Sequence, residues 1–165
     1  MKVLVISDTH IPVAAKGLPQ IVVEEAKKSD CCLHAGDFID YPFYETLSGL
    51  VKTYAVYGNM DCQELKEELP EKRIIELEGV KIALIHGSGH PDNLVKYIQD
   101  EFMPQREEID IFVFGHSHRA IDKEYGGKFY FNPGSPTDKV FAPYCSYGIL
   151  EIKGASIIRR VVKIE

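Results

Sequence analysis

Short apolar runs and amphipathic segments alternate along the first two thirds of the chain. The run KVLVI is apolar after its first residue, which is typical of a strand buried in a parallel sheet. From Leu18 to Ala26 apolar residues recur at helical spacing, and Pro19 near the start of this segment favours a helix N-terminus. Asp40 is a suitable N-cap for a second helix. The same criteria predict strands at 2–6, 31–34, 53–57, 80–85 and 111–114, and helices at 18–28, 43–50 and 94–102.

The last third of the chain has a different pattern. Beyond residue 115 the helical periodicity disappears, and turns with glycine or proline separate segments rich in strand-forming residues. These segments span 120–125, 128–132, 146–152 and 156–164. Because strands that alternate with helices indicate a parallel sheet, we expect the mixed α/β class, with a second, mostly antiparallel sheet packed on the first. No repeat or linker interrupts the chain, so residues 1–165 are expected to form a single domain.

Polar side chains interrupt this pattern at the ends of successive predicted strands. In an open α/β sheet the carboxyl ends of the strands border the ligand crevice, so residues in these positions are expected to meet at one rim. Three of the predicted strands are followed by Gly-Asp, Gly-Asn or Gly-His, and glycine allows a turn and a close approach of the backbone to a ligand. The residues at this rim are Asp8, His10, Asp37, Asn59, His86, His116 and His118.

The chemistry of this set indicates a metal site. Four imidazoles, two carboxylates and one amide suit Mn, Fe, Co, Ni or Zn better than Mg or Ca, which prefer oxygen ligands alone. The spacings Asp8-x-His10 and His116-x-His118 would each place two donors on the same side of an extended segment. The alternative, a chance accumulation of polar turn residues, does not explain why five strand ends carry such side chains.

Composition and charge exclude several other classes of function. The net charge is −6, with 25 acidic residues against 19 basic ones, which disfavours stable binding of a nucleic-acid polymer. No apolar run approaches the roughly 18 residues of a membrane span. The apolar stretch at the N-terminus is too short for a secretory signal, and the four cysteines have no C-x-x-C spacing, so we expect a cytoplasmic protein with buried thiols.

Five short motifs in a fixed order resemble the calcineurin-like metallophosphoesterase superfamily. They are S-D-T-H at 7–10, G-D at 36–37, G-N at 58–59, H-G at 86–87 and G-H-S-H at 115–118. The short length and F-N-P-G-S at 131–135 resemble its small single-domain phosphodiesterase branch, to which the retromer subunit of the same fold is related. The resemblance covers residues 7 to 135 and implies a two-sheet sandwich flanked by helices, with mixed parallel and antiparallel strands.

The resemblance also implies two divalent metal ions, with Mn favoured among Mn, Ni, Zn, Fe and Co. One ion would be held by Asp8, His10, Asp37 and His118, and the other by Asp37, Asn59, His86 and His116. Asp37 would bridge the ions, and a metal-bridged hydroxide would attack a small phosphodiester substrate with the help of Asn59. Small relatives form dimers or tetramers, so a homodimer or tetramer is expected. The alternative is a non-catalytic protein-interaction scaffold that retains the fold and the metal site.

One position departs from the pattern of this family. Many members carry a histidine directly after Gly-Asn, where it protonates the leaving group, whereas this chain has Met60. A thioether cannot donate a proton, and general acid catalysis typically contributes about 10²–10⁴-fold to the rate. We therefore expect phosphodiesters with acidic leaving groups, or a substitute acid among Asp61, His34 and His90.

Several polar residues near the motifs also have structural interpretations. His34 is expected to be a hydrogen-bonded structural histidine, and His90 an exposed loop residue. Asn132 and Ser135 are expected to form a Pro-Gly turn rather than to contact substrate.

Overall fold

The computed structural model describes residues 1–165, which form ten strands and four α-helices. The strands are β1 (Lys2–Ile6), β2 (Cys31–His34), β3 (Thr53–Ala55), β4 (Lys72–Leu77), β5 (Val80–Ile85), β6 (Ile111–Val113), β7 (Ile121–Tyr125), β8 (Lys128–Asn132), β9 (Ser146–Lys153) and β10 (Ser156–Lys163). The helices are α1 (Gln20–Ala26), α2 (Tyr41–Leu50), α3 (Gln63–Glu68) and α4 (Leu94–Glu101), and short 3₁₀ turns lie at Pro91–Asn93 and Arg106–Glu108. None of these helices is long and apolar enough to cross a membrane.

The strands form two mixed sheets of five strands each, which confirms the predicted fold class. The first sheet has the order β10-β9-β1-β2-β3, with β1, β2 and β3 parallel and β9 and β10 joined by antiparallel pairing. The second has the order β4-β5-β6-β8-β7, with β5, β6 and β8 parallel and the two outer strands antiparallel to their neighbours. The parallel strands are central in the second sheet, whereas in the first sheet they reach the edge at β3.

The expectation that the C-terminal strands form the second sheet by themselves is wrong. Strands β9 and β10 extend the first sheet, because β9 pairs with β1, whereas β7 and β8 extend the second. Two elements were also missing from the sequence interpretation. Helix α3 buries only Leu65, so it has no apolar stripe, while β4 alternates exposed residues with buried Ile75 and Leu77. Periodicity reports which face of a strand is buried, but it does not report which strand lies beside it.

Hydrophobic packing holds the two sheets face to face and covers their outer faces with helices. The core between the sheets includes Val5, Leu33, Ile82 and Val113, all fully buried. Complete burial of such a side chain contributes about 1.5–3 kcal/mol relative to exposure. A second cluster lies under α1 and α2, and a third lies under α4. This packing aligns the carboxyl ends of β1, β2, β5 and β6 along one edge of the sandwich.

The adjacent cysteines of β2 illustrate the two-faced burial of this strand. Cys31 packs in the core between the sheets, and Cys32 packs in the cluster under the helices. Both thiols are buried, whereas those of Cys62 and Cys145 are half-buried, and all four are free. Cys31 and Cys32 therefore point to opposite faces of the sheet.

Candidate metal centre

The candidate site lies where the strands of both sheets end at one edge of the sandwich. Asp8 and His10 follow β1, Asp37 follows β2 and Asn59 follows β3, all from the first sheet. His86 follows β5, and His116 and His118 follow β6, all from the second sheet. The site therefore depends on the packing of the two sheets and not on one sheet alone.

Most of these residues have an unusual backbone conformation. A left-handed φ between +46° and +68° is found at Asp8, His10, Asp37, His116 and His118. The expectation that the segments Asp8-x-His10 and His116-x-His118 are extended is therefore wrong. Such residues each cost about 1–3 kcal/mol and persist only where surrounding contacts hold them. Here the Asp8 N–H donates to the Gly36 carbonyl at 3.0 Å and the His10 N–H to the Asp37 carbonyl at 3.0 Å.

Five of the seven side chains meet in a compact cluster of carboxylates and imidazoles. Asp37 Oδ2 lies 3.2 Å from His10 Nε2 and 3.3 Å from His86 Nε2. Asp8 Oδ1 lies 3.3 Å from His118 Nε2 and 3.9 Å from His86 Nε2. Two groups with mutual distances within 4.8 Å could hold a metal ion, and they consist of Asp8, His10 and His118 and of Asp8, Asp37 and His86.

The nitrogens directed into this cluster are suited to a cation. His10 Nε2 and His86 Nε2 are buried and have no hydrogen-bond partner within the protein. An unsatisfied buried polar group costs about 1–3 kcal/mol, and a ligated metal ion would satisfy both nitrogens. Nitrogen and carboxylate oxygen donors in this proportion fit a divalent transition metal or zinc.

Groups outside the cluster orient two of the imidazoles. His86 Nδ1 is 2.7 Å from the Ala35 carbonyl, and His118 Nδ1 contacts the Asp138 carboxylate. His86 therefore directs Nε2 towards Asp37 and Asp8, and His118 directs Nε2 towards Asp8, as ligating histidines commonly do. Asp138 was missed in the sequence, because nothing in the spacing of an aspartate after the Pro-Gly turn identifies a histidine partner.

His116 and Asn59 lie at the edge of the cluster. The His116 ring is 5.3 Å from that of His86, and its Nε2 is 3.0 Å from the Gly89 carbonyl, so Nδ1 is the nitrogen available to a metal ion. Asn59 is exposed and lines a cleft of about 150 Å³ together with His86 and Ser88. These two residues border an open side of the site.

Proximity of opposite charges shifts the pKa values within the cluster. Burial acts to raise the pKa of Asp37, but the adjacent imidazoles of His10 and His86 outweigh it and hold the pKa far below the ordinary value. Burial acts to lower the pKa of His86 and His118, but Asp37 and Asp8 in the first case, and Asp8 and Asp138 in the second, raise each pKa to about 9. Because a ligating imidazole must be neutral, metal binding would displace these protons.

Two glycines of the motifs are required by close approach of the chain to the ligands. A Cβ atom at Gly58 would overlap Asp37 Oδ1 and lie 2.6 Å from the Asp37 backbone nitrogen. At Gly115 it would overlap the Ser7 hydroxyl and lie 2.7 Å from Asp8 Oδ2. The expectation that these glycines permit tight packing of the loops is confirmed.

Asp61 joins two ligand-bearing loops through hydrogen bonds to their backbone. Its Oδ2 accepts hydrogen bonds from the backbone N–H groups of Gly58 at 2.7 Å and Asp37 at 3.1 Å. Its Oδ1 accepts one from Ile39 at 2.8 Å. Burial raises the pKa of Asp61 above its ordinary value, and the three backbone donors act against this shift. We expect Asp61 to hold these loops together rather than to replace the missing general acid, and the pH–rate profile of Asp61→Asn tests this.

His34 has the structural role expected from its position. Its Nδ1 accepts a hydrogen bond from the Gly36 N–H at 3.1 Å, so Nε2 carries the proton and donates to Thr9 Oγ1 at 3.0 Å. The ring stacks on Phe38 with a centroid separation of 3.4 Å. Complete burial holds the pKa of His34 well below its ordinary value, so the ring is neutral.

His90 is exposed, as expected. Its Nδ1 accepts a hydrogen bond from the Asp92 N–H at 3.3 Å and caps the short 3₁₀ turn. Its side chain is 69% exposed, and no other contact holds it near the cluster.

The end of β8 and the segment after it form hydrogen bonds with the backbone of the ligand-bearing loops. Ser135 Oγ donates to the Asp8 carbonyl at 2.7 Å, and Asn132 Nδ2 donates to the Gly115 carbonyl at 2.8 Å. Asn132 Oδ1 also accepts from the Gly134 N–H at 2.9 Å, as expected of a turn. Both residues are fully buried. Their roles thus extend beyond the predicted turn to the backbone of the site.

Comparisons with known proteins agree with this arrangement. The chain matches the family model of the calcineurin-like phosphoesterase superfamily domain over residues 1–155. A probable metallophosphoesterase of Methanothermobacter thermautotrophicus is 30% identical over 164 residues, which cover 99% of this chain and 92% of that protein. Among solved structures, Vacuolar Protein Sorting 29 (Vps29) from Cryptosporidium parvum has a TM-score of 0.82 at 27% identity, covering 99% of this chain and 91% of the other. Vps29 from Entamoeba histolytica in complex with Zn²⁺ has a TM-score of 0.74 at 28% identity, covering 99% of both chains.

The family model spans nearly the whole chain and includes every residue of the cluster. The relative from Methanothermobacter thermautotrophicus covers almost the same length. The buried donors supply a candidate metal site of the kind that a metallophosphoesterase requires. The protein belongs to the calcineurin-like phosphoesterase superfamily.

Proposed function

We propose that this protein is a metal-dependent phosphodiesterase that hydrolyses small phosphodiesters. The observation that carries the proposal is the pair of buried nitrogens, His10 Nε2 and His86 Nε2, that face Asp37 without a hydrogen-bond partner. Such a pair is costly in a protein that binds no cation. Membership of the metallophosphoesterase family supports hydrolysis of a phosphoester, and the specificity for diesters is our inference.

The residues present fit two divalent ions. Asp8 belongs to both of the groups described above, whereas Asp37 Oδ2 lies between His10 and His86, and we propose Asp37 as the shared carboxylate. The proposed ligands of one ion are Asp8, His10, Asp37 and His118, and those of the other are Asp37, Asn59, His86 and His116. When bound, the two cations would activate a water molecule and neutralise charge on the phosphate. Manganese is our first choice of metal, and the Zn²⁺ complex of Entamoeba histolytica Vps29 supports zinc as a second.

The chain contributes orientation and hydrogen bonds to this chemistry. Asn59, on the open side of the cleft beside His86, can donate its amide N–H to a non-bridging phosphate oxygen. Met60 is 54% exposed next to it and offers no proton to a leaving group. Esters whose leaving groups depart as stable anions are therefore the favoured substrates.

A non-catalytic scaffold for protein interaction is the second candidate function. The similarity to Vps29 proteins, at a TM-score of 0.82 for the Cryptosporidium parvum structure, favours it. The intact cluster of five buried or half-buried ligand candidates favours the enzyme, because a scaffold has no chemical need to retain them.

Hydrolysis of bis(p-nitrophenyl) phosphate by metal-stripped protein, with add-back of Mn²⁺, Zn²⁺, Ni²⁺ or Mg²⁺, tests the proposal. We expect turnover that depends on the added metal and is lost in Asp37→Ala. Asp100→Ala, which removes an exposed carboxylate on α4, should behave as the wild type. Absence of metal-dependent turnover, or turnover that survives Asp37→Ala, contradicts the proposal. Preferential hydrolysis of p-nitrophenyl phosphate would assign monoesters instead.

A further inference from the structure

Asp138 lies in the loop between β8 and β9, and both of its carboxylate oxygens have hydrogen-bond partners. It is only 7% exposed. Its Oδ1 accepts hydrogen bonds from the backbone N–H groups of Val140 at 2.8 Å and Phe141 at 3.0 Å, and its Oδ2 accepts one from Ala142 at 3.1 Å. The same Oδ2 contacts His118 Nδ1. One carboxylate thus closes a turn and holds an imidazole of the cluster.

The His118 ring is held between two carboxylates. Asp138 lies at Nδ1, and Asp8 Oδ1 lies 3.3 Å from Nε2. A neutral imidazole that donates through Nδ1 presents its lone pair at Nε2. The contact with Asp138 therefore selects the tautomer that can bind a cation beside Asp8.

The other histidines of the site lack this kind of partner. His86 Nδ1 and His116 Nε2 each face a backbone carbonyl, those of Ala35 and Gly89. A carboxylate accepts a stronger hydrogen bond than a neutral carbonyl and raises the basicity of the ligating nitrogen more. Removing the carboxylate should therefore weaken the ligand that it supports.

We infer that Asp138 is a positioning residue of the metal centre. It holds His118 in the Nδ1–H tautomer and directs Nε2 at the ion that Asp8 and His10 would share. The inference rests on the proposed function only in requiring a metal ion at the cluster, and it is independent of the ester hydrolysed. Asp138 acts through His118 and makes no contact with the substrate in this role.

Calorimetric titration of metal-stripped protein with Zn²⁺ tests the role of Asp138. Replacing a carboxylate behind a ligating histidine typically weakens metal affinity about 10–100-fold, and we expect this range for Asp138→Asn. The amide oxygen of asparagine can still accept from Val140 and Phe141, so two of the three backbone hydrogen bonds of the turn are retained and only that from Ala142 is lost. Asp92→Asn is the matched control, because Asp92 and His90 form a similar pair, with a 3.6 Å separation, that is exposed and outside the cluster. This control should bind Zn²⁺ as the wild type does.

A second measurement uses the wild type alone and so does not depend on a variant that folds. Long-range ¹H–¹⁵N spectra of the Zn²⁺-loaded protein should show His118 protonated at Nδ1. Protonation at Nε2, or wild-type affinity in folded Asp138→Asn, overturns the inference. If Asp138→Asn weakens Zn²⁺ binding but the wild type hydrolyses no diester, the positioning role stands and the proposed function fails. A wild-type protein that binds neither Zn²⁺ nor Mn²⁺ overturns both.

Discussion

Asp37 Oδ2 lies 3.3 Å from His86 Nε2, although Asp37 follows a strand of the first sheet and His86 follows a strand of the second. The cluster therefore combines side chains from loops of both sheets. A cation bound by both residues would connect the two sheets through their loops. Folding and metal binding should be coupled for this reason.

Metal binding should raise the thermal stability of the protein. A ligand present at 100 times its Kd stabilises the folded state by about 2.7 kcal/mol, if it does not bind the unfolded chain. We expect a higher Tm with Mn²⁺ or Zn²⁺ than with EDTA, measured by differential scanning fluorimetry. Asp37→Ala should abolish the difference, whereas Asp100→Ala should keep it. An equal Tm shift in both variants would mean that the ion acts elsewhere.

Gly115→Ala should damage the site severely. The new Cβ would overlap the Ser7 hydroxyl and crowd Asp8 Oδ2, so the 115–118 loop must move away from Asp8. We expect loss of metal-dependent hydrolysis, together with a free energy of unfolding lowered by about 1–3 kcal/mol. The measurement is a denaturant unfolding curve and an activity assay on the same preparation.

Gly49→Ala is the control for this variant. Gly49 lies on the exposed face of α2, and an added Cβ meets nothing within 4 Å. Alanine is favoured over glycine in a helix by about 1 kcal/mol, so this variant should be as active as the wild type and slightly more stable. Similar losses in both variants would contradict the steric account of Gly115.

Asp61→Ala should destabilise the protein without revealing an acid catalyst. The substitution removes the acceptor from three backbone N–H groups, those of Gly58, Asp37 and Ile39. Each buried donor left unpaired costs about 1–3 kcal/mol, so we expect a decrease of several kcal/mol in the free energy of unfolding. Asp61→Asn should retain the shape of the pH–rate profile. If the pH–rate profile of folded Asp61→Asn lost its basic limb, Asp61 would instead be identified as the proton donor.

Met60→His should extend hydrolysis to esters with poor leaving groups. Met60 is exposed, and its backbone N–H donates to Asp37 Oδ1 at 2.9 Å, which places this position next to the cluster. A general acid contributes about 10²–10⁴-fold at most sites, and a gain at the lower end is expected here. The measurement is the ratio of kcat/KM for an alkyl diester to that for bis(p-nitrophenyl) phosphate. An unchanged ratio contradicts the interpretation of Met60.

The sequence by itself determined the α/β class, most of the strands and the location of the candidate ligands. These features are local. A buried strand requires a continuous apolar run, and a loop that carries a ligand close to another loop requires glycine, as at Gly58 and Gly115. The order of the motifs along the chain was sufficient to suggest the family, which the family model confirms.

Only the tertiary structure decided which strands pair and which groups support the ligands. Strand β9 could have paired in either sheet, and its pairing with β1 depends on packing that periodicity does not record. The same is true of Asp138 against His118 and of Asp61 against the backbone of Asp37. Each of these is a hydrogen bond between residues far apart in the chain. Its geometry exists only once the two sheets have packed, because that packing brings the loops together and buries their polar groups.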